Sequence, residues 1–248
     1  MEMLRNRYQS GNILFLILLA VVLFAALAMA IIQSLRGGGQ EGMTKEAADS
    51  AASDMMSYFT QIDTAVQRMM LVNNIPLEQI DFYDTTNKSQ TGGNDHYNNT
   101  ACTTTSCEVF SPAGGGVSAR KFDKYGDQTQ MTGDSGRRMP GHHAMQVVNV
   151  QHLGTPLNEV AIRIDFVKAD ICRAVNRGLG LPECGTIPAY ISGAAWTPFS
   201  GDAATIAANL AAAAPYNFAG QAQGKATFCQ LSCNPGAFGS LYHVIIER

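Results

Sequence analysis

The chain has 248 residues, a formal net charge of −3 and only 15% charged residues. Such a weak, slightly acidic balance excludes the basic field that draws nucleic acid or acidic lipid, and Arg120, Lys121 and Lys124 are too few for a nucleic-acid footprint. Beyond the N-terminal tail and apolar run, about 215 residues remain, enough for one large or two small domains.

Residues 1–11 form a short basic leader with Arg5 and Arg7, closed by Gly11. Ile13 to Ile32 follow as 20 apolar residues without charge, proline or glycine. At ~1.5 Å per residue such a helix spans about 30 Å, the thickness of a bilayer's hydrocarbon core. The pattern predicts a transmembrane helix over 12–36. Three readings of it stand side by side. Ala28-x-Ala30 offers a signal-peptidase site, although the apolar run continues through Ile31 and Ile32. A plain anchor needs only the length. A leader closed by glycine offers a cut between Gly11 and Asn12, which leaves the apolar helix on the mature chain. Arg5 and Arg7 before the run, and Arg36 and Lys45 after it, balance too closely to orient it.

Gly37-Gly38-Gly39 interrupts helix, because each glycine costs about 1 kcal/mol relative to alanine, and residues 37–43 read as a hinge. An amphipathic helix is predicted over 44–76. Ala48, Ala52, Met55, Phe59, Ile62, Val66 and Met69 recur at alternating steps of four and three, one apolar stripe along the helix. Lys45, Glu46, Asp49, Ser53, Asp54, Gln61, Gln67 and Arg68 make the polar face. Such a stripe suits a coiled coil as well. Packing on its own domain is the preferred reading. Asn73-Asn74 and Ile75-Pro76 end it.

Residues 77–248 read as an extracytoplasmic α+β domain. Residues 84–101 and 122–145 are polar and loop-like. Glu108-Val109-Phe110 is a brief strand candidate, stopped by Pro112 and Gly114-Gly115-Gly116. Gln146–Leu153 and Glu159–Val167 alternate as strands and fit a hairpin. Helices are expected over Lys168–Leu179 and Ala203–Ala214, and closing strands over 225–231 and 239–247. Cys102, Cys107, Cys172, Cys184, Cys229 and Cys233 all follow the apolar run. An even count in local pairs points to three disulfides and an oxidising compartment, which places this part outside the cytoplasm. Neighbour pairing is the simplest connectivity, and the spacing does not fix it. No C-x2-C with a following histidine suggests structural zinc.

Leader, membrane helix, glycine hinge, amphipathic helix and Gly-rich domain, in that order, resemble type IV pilins and type II secretion pseudopilins. The stretches Cys107–Gly116, Ile171–Gly180 and Tyr242–Arg248, with the opening Gly11–Ile17, resemble a group of pilin-like membrane proteins from alphaproteobacteria. The resemblance implies a long N-terminal helix, half in the membrane and half packed on a small antiparallel sheet with disulfide-stapled loops. It also implies a prepilin peptidase and other pilin-like subunits as partners. One departure matters. Pilins carry Glu at the fifth mature position, where this chain has Leu16. An isolated Glu in lipid is justified only by a partner. Its absence turns the expectation from a major subunit to a minor or tip subunit of a type IV pilus or type II secretion-like filament. The alternative is a non-polymerising, membrane-anchored periplasmic binding or adhesion protein.

No enzyme and no cofactor are expected. Gly133-Asp134-Ser135-Gly136 matches a serine-nucleophile tetrapeptide but lies in a polar loop without its triad context, and reads as a turn. His142-His143, with His152 or His96, read as a solvated loop rather than a metal site. Trp196 reads as local packing rather than a surface contact. Gly37–Gly39 and Gly114–Gly116 lack the strand–turn–helix setting of a phosphate loop.

Overall fold

A computed structural model of the chain describes residues 15–25, 27, 29, 43–83, 98–128, 141–150, 153, 158–185, 199, 202–211, 217–218, 222, 224–234 and 238–246. The chain divides into two compact units, Met1–Thr44 and Lys45–Arg248. In the first unit, residues 15–25 are helical (α1), and their side chains are exposed, Phe24 at 74%. Among the described residues, no helix is long and apolar enough to cross a membrane. Apart from Leu27 and Met29, the rest of the span expected over 12–36 lies outside the described residues, as do Gly37, Gly38 and Gly39, which the sequence reads as a hinge.

The second unit is α+β. Its first element, α2, is a 27-residue helix, Lys45–Leu71. All seven residues of the predicted stripe are buried, and Ala51, Tyr58 and Ala65 widen it. The helix ends before the predicted Asn73-Asn74 stop. Asn74 turns to φ 53°, and the Ile75 N–H reaches back to the Met69 carbonyl. Asparagine tolerates this left-handed conformation better than other residues that carry a side chain.

Strands β1 (His143–Val150) and β2 (Glu159–Lys168) form the expected antiparallel hairpin, with Met145 opposite Ile162 and Val147 opposite Val160. Helix α3 (Ala169–Gly178) follows directly and stops at Leu179, before Gly180 at φ 68°. Then come α4 (Ala203–Ala211), β3 (Asn217–Phe218), β4 (Thr227–Leu231) and β5 (Phe238–Ile246). The sheet order is β3-β1-β2-β5-β4, antiparallel except for the short parallel β3–β1 pair. β5 holds a central place, which its run Leu241 to Ile246 explains, since all six residues are buried.

One sheet face meets α2 and α3, with Phe59 stacked on His243 and Cys172 bonded to Cys229. The other carries a cluster of Val148, Val150, Ala161, Phe228, Tyr242 and Val244, joined by Leu181 from beyond α3. Burial on both faces explains why β2 is nearly all buried, although its sequence alternates.

Two expectations need correction. Glu108-Val109-Phe110 is not a strand. Only an isolated parallel bridge, Asp81 to Glu108, forms there, because Thr105–Cys107 is a 3-10 turn and the following glycines fold back under Glu108 and Val109. Cysteine pairing is local only once, in Cys102–Cys107. The others are Cys172–Cys229 and Cys184–Cys233, 57 and 49 residues apart in sequence. The packing of α3 beside β4 brings each pair together, so tertiary neighbours override sequence neighbours.

Candidate functional site

Helix α2 is the element on which the domain's polar anchoring converges. Four side chains on it hold four distant segments. Asp49 takes Arg177 of α3 at 2.6 Å, and Arg177 also reaches Glu183 at 3.1 Å. Asp54 accepts two 2.9 Å bonds from Arg120 and one of 2.9 Å from the Tyr125 hydroxyl. Burial raises the Asp54 pKa, but the Arg120 and Tyr125 hydrogen bonds and the Arg120 and Lys124 charges outweigh it and hold the carboxyl below its usual range. Arg120 and Lys124, read in the sequence as sparse basic charge, are thus partners of α2. The Arg120 guanidinium also lies over the rings of Tyr58 and Phe122.

Further along, Asp63 accepts from His243 Nε2 at 2.9 Å, and His243 Nδ1 meets the Thr227 hydroxyl. With Nε2–H given to Asp63, Nδ1 of a neutral ring accepts the Thr227 proton. A hydroxyl, an imidazole and a carboxylate in line have the parts of an acyl-transfer relay. Here Thr227 is 6% exposed and Phe59 stacks flat on the imidazole, 4.7 Å between ring centres, so the arrangement works as a tether between α2, β5 and β4. At the last turn, Arg68 donates to the Gly114 and Gly115 carbonyls at 3.0 and 2.8 Å. The triple glycine folds close because a Cβ on Gly114 would strike the Glu108 carbonyl and one on Gly115 the Val109 carbonyl.

A second polar knot ties down the loop after α2. Asp81 is 5% exposed and accepts from the Tyr83 N–H at 2.9 Å and the Asn99 N–H at 3.1 Å. Asn99 in turn donates to the carbonyls of Glu78 and Ile80. Burial pushes the Asp81 pKa up to about 6; the Glu108 charge adds to it, and the N–H bonds pull the other way.

His142 and His143 are not in a solvated loop. His142 is 9% exposed with Nε2 at 3.1 Å from the Asp123 carboxylate, and His143 is 2% exposed against the rings of Tyr58 and Phe110. Burial lowers the His142 pKa, and nearby Lys121 and His143 lower it further, against the opposing pull of Asp123. The two rings face different neighbours, and no group of three or more potential ligands gathers anywhere among the described residues. His96, His152, Ser135 and Trp196 lie outside the described residues, with Gly11 and Asn12. Leu16 lies on α1, 56% exposed.

Asp63, His243 and Asp81 were not singled out from the sequence. Asp63 and His243 are 180 residues apart, and no spacing connects them. The weak signal was His243 inside a β-branched strand and Asp63 one step from the apolar stripe. Between α2 and α3 runs a groove of about 450 Å³, floored by Ala52, Met56, Ala174, Val175 and Leu179, with Asp49 and Arg177 among its lining residues. What the described residues hold firmly is one long helix, by its apolar stripe and four polar side chains, Asp49, Asp54, Asp63 and Arg68. Family models, curated proteins and solved structures compared with this chain give no match.

Proposed function

We propose that this protein is a pilin-like structural subunit, a minor or tip subunit of a type IV pilus or a type II secretion-like filament. The observation that carries the reading is α2: a 27-residue amphipathic helix, preceded by an apolar run of 20 residues and fastened along its length to α3, to the loops at Gly114 and Arg120, and to β5 of a small sheet. That order suits a subunit whose apolar helix is stored in a bacterial inner membrane while the head stands outside the cytoplasm. Three disulfides fit that oxidising side. On assembly the apolar helix exchanges lipid contacts for contacts with other helices, so packing rather than hydrophobicity sets the affinity.

The second reading is a membrane-anchored periplasmic binding or adhesion protein that does not polymerise. Leu16 favours it, because the acidic side chain that pairs with a neighbouring subunit in pilins is missing. Intact-mass and N-terminal analysis of the protein from its native membrane tests both. A chain that starts at Asn12 supports processing by a prepilin peptidase. A chain that keeps Met1 is a plain anchor, and one that starts near Ile31 is a secreted domain; either result removes the assembly mechanism.

A further inference from the structure

We draw no further inference here: the strongest candidate, the groove between α2 and α3 floored by Ala52, Met56, Val175 and Leu179, is an unpartnered apolar face, and nothing in the structure shows what covers it.

Discussion

Replacing Asp81 with asparagine should change how stability depends on pH. The folded-state pKa of about 6 stands against 3.8 for an ordinary aspartate. The folded protein therefore holds the proton more tightly than the unfolded chain between those two values. Unfolding free energy falls as pH rises through this window, because the unfolded state binds fewer protons there. A shift of about 2 units at ~1.4 kcal/mol per unit makes the change about 3 kcal/mol. Above the window the carboxylate is charged and buried, held by the Tyr83 and Asn99 N–H groups. Asparagine keeps an oxygen for those donors and has nothing to titrate. Urea unfolding followed by circular dichroism from pH 4 to 7.5 measures the difference between Asp81→Asn and the parent. Part of that change lies below pH 4, so between pH 4 and 7.5 the variant should gain about 2 kcal/mol relative to the parent. The constant offset reports the fit of the amide; the slope reports the proton. His142 titrates in both proteins and cancels in the difference. A flat difference, or a variant that loses ground as pH rises, would refute the assignment of a raised pKa to burial.

Gly115→Ala should lower stability by about 1–3 kcal/mol, since the new methyl meets the Val109 backbone and the chain must shift; a thermal melt unchanged within error would contradict that close approach. Asp63→Ala and His243→Ala should couple by about 0.5–3 kcal/mol in a double-mutant cycle of denaturant unfolding, and additive effects would mean that the bond contributes nothing. Peptide mapping without reductant should recover Cys102–Cys107, Cys172–Cys229 and Cys184–Cys233. On loop-closure entropy, losing Cys172–Cys229 should cost about 4 kcal/mol and losing Cys102–Cys107 about 2, and equal losses would argue against a mainly entropic effect.

Helix α2 was legible in the sequence because a helix carries its burial pattern in its own period, so residues 48 to 69 reveal a core face before any partner is known. The strands β1, β2 and β5 were legible for a related reason: valine and isoleucine runs suit a pleated, covered surface. β3 was missed. Two residues hold no period, and only the neighbouring β1 makes them a strand. The disulfide partners were hidden because α3 and β4 meet through a chain reversal of 57 residues, and local spacing says nothing about that approach. The histidine pair's burial is hidden for the same reason. Polar composition around 142 suggested water, while Tyr58, Phe110 and Asp123, all distant in sequence, supply the cover. The tether at His243 follows the same rule. A pattern within one element is visible in the sequence; a contact between elements far apart is not.

Asn176 of α3 accepts from the Cys229 N–H and donates to the Cys229 carbonyl, each at 2.8 Å, and the Gly185 N–H takes the Leu231 carbonyl at 3.0 Å. A carboxamide offers one acceptor and one donor in a plane, the same pair that a peptide unit on a further strand would present. An open strand end of this kind is where sheets of separate molecules join and aggregate. Both backbone groups of Cys229 and the carbonyl of Leu231 are already taken. A second copy brought against this edge therefore finds no template for strand exchange at these backbone groups.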